Sequence, residues 1–166
     1  MSVAAVIDTS TVIALVRGGV FEYLGQVFWP LFIGHGAERE CRKVPQVGAT
    51  LNQTQSSSPP FPHVVALISR SRTYDPRLSM EDIEGIEIAL DKSALLLTQD
   101  DLQTLEAKNA GGQGVLHTFH LLEGFKYRGF ITHVRSVLEQ MEQNGERFPK
   151  SEKNRLLRRV NERPIP

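Results

Sequence analysis

This sequence holds one cysteine and one tryptophan, and the lone thiol sets a first limit. Cys41 has no partner for an internal disulfide or for a cysteine-based zinc site, which matches a reducing compartment. The five histidines, at 35, 63, 117, 120 and 133, show no zinc spacing, and His117-x-x-His120 reads as a loose structural pair. Net charge is missing too: 19 basic and 19 acidic residues cancel, so no overall field advertises a nucleic-acid or membrane partner. No apolar run approaches the roughly 18 residues of a membrane span. The opening MSVAAVIDTS carries no basic leader and reaches Asp8 too early for a signal peptide. These absences predict a soluble, cytoplasmic protein with no membrane partner.

What is present is enough for one core. A chain of 166 residues, 40% hydrophobic and 23% charged, is long for a peptide module and short for two domains. Its charge is uneven, because from Gly145 onward seven Lys/Arg stand against three Glu. The domain is therefore expected over residues 1–144, followed by a basic tail over 145–166 that reads as a charged surface helix or a disordered end. Within the domain, short apolar runs alternate with helical spacing. Val3 to Ile7 is an apolar run of the kind a central parallel strand shows. Helical spacing follows from Thr11 to Phe28, broken at Gly18-Gly19. Pro30 to Gly34 predicts a strand and His35 to Lys43 a helix. Residues 44–62, VPQVGATLNQTQSSSPPFP, have the composition of a long, polar, mobile loop. His63 to Ser69 fits strand or helix. Ser79 to Lys92 predicts a helix, Ala94 to Thr98 a buried strand, Leu102 to Ala110 a helix and Val115 to Phe119 a last strand. Helices over His120–Arg128 and Thr132–Gln143 close the pattern. Strands alternating with helices over short connections predict a three-layer α/β/α sandwich with a mostly parallel central sheet.

Such sheets bind ligands beyond the carboxyl ends of their strands, and two strands end there on acids. Asp8 closes the first run, and ALLLTQDD ends on Thr98-Gln99-Asp100-Asp101. Carboxylates forced together cost repulsion and desolvation unless a cation neutralises them, so the pair suggests a divalent metal bound through oxygen. A strand-terminal Asp can equally cap the next helix. In SMEDIEGIEIALDK, about 100° per residue puts Ile83, Ile86, Ala89 and Leu90 on the buried face with Asp82 on its flank. Glu84, Glu87 and Asp91 fall on the solvated side. Asp82 also completes a Ser79-x-x-Asp82 capping box. In GHGAERECRK, Glu38 and Glu40 compete on equal terms. Cys41 reads as a core thiol, and Gly111-Gly112-x-Gly114, which follows a helix instead of opening one, reads as a turn.

Taken in order, these segments resemble the PIN-domain nucleases over about residues 3 to 132. Asp-Thr-Ser at 8–10 ends a strand, AEREC is similar to V-x-x-E-L with the acid at Glu40, and LSMEDIEGIEIAL resembles the D-x-x-I-x-x-x-A helix through Asp82 and Ala89. LLLTQDD resembles the T-x-D strand end through Thr98 and Asp100. GVLHTFHLLEGFKYRGFIT is similar to the closing G-T-x-x-x-L-L-x-x-K-x-x-G-x-I segment of a bacterial subgroup related to VapC-type toxins. The resemblance implies a Mg²⁺- or Mn²⁺-dependent endoribonuclease with Asp8, Glu40, Asp82 and Asp100 as its acidic cluster. Ser10 and Thr98 would support that cluster by hydrogen bonds, with Glu84 and Asp101 as reserve metal ligands. An acidic pocket repels RNA without its ions, so rim cations are needed, and Arg39, Lys43, Arg70, Arg72 and the tail are the candidates. As a toxin the protein would take a small antitoxin as partner, and a homodimer is compatible with the resemblance. Two other readings remain: a PIN-like binding or assembly module without catalysis, and a phosphoacceptor receiver domain. The latter expects an acidic pair after the first strand, where this chain has one Asp.

Overall fold

Val3–Ile7 forms β1, and its burial follows from having neighbours on both sides. The computed structural model describes residues 3–57, 61–67 and 72–166. β1 pairs in parallel with β2 (Phe28–Gly34) and with β4 (Leu95–Leu97). β3 (His63–Val65) and β5 (Val115–Leu116) extend the sheet at its two edges, giving a five-stranded, all-parallel sheet in the order β3-β2-β1-β4-β5. The period-two alternation of a strand divides its apolar residues between two cores. Ala5 and Ile7, with Leu31, Ile33 and Leu97, face one side, while Val6, with Phe32 and Leu96, faces the other.

The first side carries α1 (Thr9–Arg17), α2 (Leu24–Val27), α3 (His35–Cys41), α4 (Pro45–Gln55), α7 (Thr118–Tyr127), α8 (Val134–Gln143) and α9 (Lys150–Arg159). The second carries α5 (Met80–Asp91) and α6 (Asp101–Asn109), with Tyr74 and Leu78 of the preceding segment packed alongside. This is the three-layer α/β/α arrangement that the alternation predicts, with a fully parallel sheet.

Three local expectations differ from the structure. Residues 44–62 are not one polar loop: α4 occupies 45–55, with Pro45 in its first turn and Val47, Gly48 and Leu51 buried. Pro is favoured at that position because its missing N–H would lack a helical partner anyway. The Gln, Asn and Thr residues that suggested a loop instead form the outer face of an amphipathic helix. The expected strand over 115–119 pairs only over Val115–Leu116, because His117 is already the N-cap of α7. Within 145–166, α9 places Leu156, Leu157 and Val160 in the main core. Beyond it, the Glu162 carboxylate accepts hydrogen bonds from the Val134 and Arg135 amides at 2.8 and 2.9 Å, closing the start of α8. Leu156, Leu157 and Val160 fall on one helical face of this basic stretch, and that spacing decides its packing more than its charge does.

Burial of α4 and α9 sets a measurable cost. Leu51→Ala and Leu157→Ala, each at a fully buried site, should each destabilise the protein by about 2–5 kcal/mol. A leucine in a mobile loop or loose tail would cost less than about 0.5 kcal/mol. Urea unfolding monitored by circular dichroism separates these outcomes.

Candidate functional site

The chain runs from β1 outward through β2 to β3, then returns past β1 to β4 and β5. The strand order thus reverses between β1 and β4, and the crevice at the carboxyl ends of such a pair is where open α/β sheets bind ligands. Asp8 follows β1 and Thr98 to Asp100 follow β4. Four helices, α1, α3, α6 and α7, start immediately after β1, β2, β4 and β5, so their N-terminal amides gather at this edge.

Asp8 is only 8% exposed. It is the N-cap of α1, with Oδ1 accepting from the Thr11 amide at 2.8 Å. Oδ2 accepts from the Ser10 and Thr98 hydroxyls, both at 2.7 Å. The Thr98 oxygen in turn accepts from the Asp100 amide at 3.0 Å, so one buried hydroxyl joins the ends of β1 and β4. Burial raises the Asp8 pKa above its ordinary value, and the donated hydrogen bonds of Thr98, Thr11 and Ser10 only partly oppose it. Among the described residues no Lys, Arg or His forms an ion pair with Asp8.

The other acids approach the same edge, each through its own local donor. Asp100 is the N-cap of α6 and accepts from the Gln103 amide at 2.6 Å. Asp101 occupies the first turn of α6 and is exposed. Glu40 accepts from the Thr9 hydroxyl at 3.1 Å, next in sequence to Asp8, whereas Glu38 is tied to Arg42 on its own side of α3. That contact distinguishes the two glutamates, which spacing alone left equal. Cys41 registers the same negative charge: burial, then Asp8, Glu40 and Glu38, push its thiol up to about 12. It is a protonated core thiol.

On α5 the helical projection needs correction. Asp82 is half-buried and its Oδ2 is engaged in the capping box, accepting from the Ser79 amide at 3.0 Å and its hydroxyl at 2.7 Å. Glu84, expected on the solvated side, reaches across to α3, where its Oε2 accepts from the Gly36 amide at 2.7 Å. A Cβ at Gly34 or Gly36 would come within 2.7 or 2.9 Å of that carboxylate oxygen, so a side chain at either position would displace Glu84 from this approach. Glu87, also expected in solvent, is 6% exposed and bonded to the Tyr74 hydroxyl at 2.9 Å. The reason is that α5 is covered beyond the sheet, by α3 at Glu84 and by the segment around Tyr74 and Leu78 at Glu87, and a projection of one helix cannot see these further covers.

Gln103 and the Gly34-x-Gly36 pair are site residues that the sequence did not reveal. Gln103 is fully buried and its side-chain amide donates to the Asp82 carbonyl at 3.0 Å, linking the first turns of α5 and α6. Only its place three residues after an N-cap hinted at such a role. Of the expected rim cations, Arg39 and Lys43 are exposed on and just after α3. Arg72 lies 3.8 Å from the Glu87 carboxylate, and Arg70 falls outside the described residues.

The four carboxylates predicted to converge do not form one tight cluster. Among the described residues no group of three or more His, Cys, Asp or Glu side chains is arranged to hold a metal ion. Bare carboxylates repel, and each settles on a cap, a hydroxyl or an amide of its own. The donor set nevertheless fits a hard cation. It consists of carboxylate oxygens, its most buried member has no cationic partner among the described residues, and two glycines leave room for a third acid. Mg²⁺ keeps several waters and binds through one or two carboxylates together with substrate phosphates, so an open pair such as Asp8 and Asp100 matches it better than a closed cage would.

Burial of Asp8 gives a pH dependence of known sign. Because its pKa is raised in the folded protein, the native state binds the proton more tightly than the unfolded chain does. This contribution to stability is fully present below the ordinary value of 3.8 and is lost as pH rises through the raised native pKa. Asp8→Asn, which deletes the buried charge, should therefore melt higher than the wild type at pH 7 in metal-free buffer. The gain should shrink toward zero below pH 4. Melting curves of both proteins across this range, in the presence of a chelator, provide the check.

Comparison with known proteins follows the same outline. A family model described as PIN domain matches residues 4–162. The fold is similar to that of a PilT N-terminus domain protein from the hyperthermophilic archaeon Sulfolobus solfataricus, 15% identical, covering 88% of this chain and 97% of that one at a TM-score of 0.46. It is also similar to a domain of a functionally unknown protein from Methanocaldococcus jannaschii, 17% identical, covering 70% and 91% at a TM-score of 0.47. No curated protein matches. With nearly its whole length matched by the family model, the chain belongs to the PIN domain family.

Proposed function

We propose that the protein is a Mg²⁺- or Mn²⁺-dependent endoribonuclease whose centre is the crevice between β1 and β4. The observation that carries this reading is Asp8: a carboxylate buried at the strand-order reversal, held by two hydroxyls and an amide, with no ion pair to a cationic side chain among the described residues. A buried acid without a cationic partner is costly, and a divalent ion shared with Asp100 removes that cost. When bound, the ion would lower the pKa of its water and offset charge developing on a phosphodiester.

The chain's own residues do the rest. Asp8 and Asp100 would hold the cation, with Thr98 fixing their spacing through its two hydrogen bonds. Ser10 orients Asp8 Oδ2. Glu40 and Glu84, each with one hydrogen bond to a neighbouring element, stand ready to orient water or complete the ligand set, and Asp82 and Asp101 flank them. Arg39 and Lys43, both exposed, would supply positive charge at the rim. The nucleic-acid substrate of the family narrows here to RNA, and a role as the toxin of a toxin–antitoxin pair, with a small antitoxin partner, rests on the closing segment 114–132. The lack of a preformed three-acid cluster among the described residues favours a second reading, a PIN-like binding module without catalysis.

Metal binding and cleavage discriminate between them. Mn²⁺ at about a hundredfold excess over its Kd should raise the wild-type melting temperature by roughly 5–10 °C and leave Asp8→Asn unchanged. An inactive module would show no shift in either protein.

RNA cleavage should fall about 100-fold or more in Asp8→Asn and Asp100→Asn, the loss of several kcal/mol expected from removing a ligand charge. Glu84→Gln should lose more activity than Asp82→Asn, whose amide can still cap α5. The reverse order would return the ligand role to Asp82.

A further inference from the structure

Beside the crevice, a hollow of about 470 Å³ lies between the start of α7 and the C-terminal helix α9, and Gln99 and Asp101, on either side of Asp100, line its near wall. Its size falls within the roughly 300–1,000 Å³ of ligand clefts. Resting on the reading of the protein as an RNA nuclease, we propose that this hollow receives one nucleotide of the RNA strand flanking the cleavage position, its phosphate on Arg155 and Arg147 and its base against Phe119 and Phe148.

Four observations support the assignment. Arg147 and Arg155 line the hollow, and Arg155 makes no hydrogen bond or ion pair with any described residue. Arg147 donates from Nη1 to the Glu142 and Glu146 carbonyls at 3.0 and 2.8 Å, which fixes the guanidinium and leaves its other nitrogens free to donate. Phe119 and Phe148, only partly buried, meet at the wall with ring centres 5.0 Å apart. A guanidinium beside an aromatic platform is the combination that binds single strands, charge taking the backbone and the ring taking a base. Finally, α7 starts at this wall, and Thr118, 1% exposed, has a hydroxyl with no partner. A ten-residue helix directs its N-terminal partial charge here.

Competing charges equal the two available arginines in number. Asp101 and Glu152 also line the hollow, while Arg159 is committed to Glu123. His120 also senses the positive surroundings: burial, His117 and Arg159 lower its pKa. The site therefore takes a phosphodiester strand longer than the two nucleotides around the scissile bond.

The test is equilibrium binding of a fluorescein-labelled single-stranded 12-mer RNA to the full chain, in EDTA so that nothing is cleaved, across a KCl series. Arg155→Gln should weaken binding about tenfold at low salt and reduce the slope of log K against log salt by about 0.7, one lost phosphate contact on a single strand. Phe148→Leu should weaken binding about fivefold or more with the slope unchanged. Melting temperature should stay at the wild-type value in Arg155→Gln, because that side chain holds nothing in the fold. Unchanged affinity and slope in Arg155→Gln, or no RNA binding by the wild type, would overturn the subsite. Cleavage with Mn²⁺ is scored separately. A nuclease indifferent to Arg155→Gln keeps the reading and loses the subsite, and slope-dependent binding without cleavage keeps the subsite and loses the nuclease.

Discussion

A charge at the end of a central strand must be accommodated from every side, and the surroundings of Asp8 are arranged for that purpose. β1 has partners on both edges and helices on both faces, so water reaches its last residue poorly. Two hydroxyls and one amide supply hydrogen bonds, and the start of α1 adds the positive end of its dipole. Burial still outweighs these donors, since the Asp8 proton is held more tightly than in water. The remaining cost sets the character of the whole edge: the protein folds around an incompletely compensated anion, and a cation from solution is the natural complement.

Around that anion the other carboxylates are kept available without being driven together. Asp82 and Asp100 cap helices, Glu40 leans on Thr9, and Glu84 reaches the Gly36 amide. None has to desolvate against another, so the metal-free fold avoids the mutual repulsion a tight cage would impose. On the proposed reading this arrangement would cost metal affinity, because the acids would have to shift to close on an ion, and it would leave coordination positions open for substrate oxygen.

The parallel sheet and its acid-tipped strands were legible because they follow from period-two burial and from position at a carboxyl edge, both readable one segment at a time. Helix α4 was hidden because Gln, Asn and Thr dominate its composition while only Val47, Gly48 and Leu51 carry the packing. The placement of Glu84 and Glu87 was hidden for another reason: Glu84 depends on Gly34 and Gly36, about fifty residues away in the chain, and Glu87 on Tyr74 in the segment before α5. Local periodicity tells which side of a helix is apolar, but not what covers its polar side. Asp82, which the resemblance places in the acidic cluster, belongs to a capping box that was visible from the start.

Thr98 shows what joining two strands through one proton entails. Surface hydroxyl protons trade with water almost at once, but Thr98 is fully buried and its proton lies between its own oxygen and Asp8. Exchange there must wait until the ends of β1 and β4 part, so the lifetime of this one proton measures how often the crevice opens. The same side chain that fixes the spacing of two acids is thus also an internal clock for the breathing of the sheet beneath them.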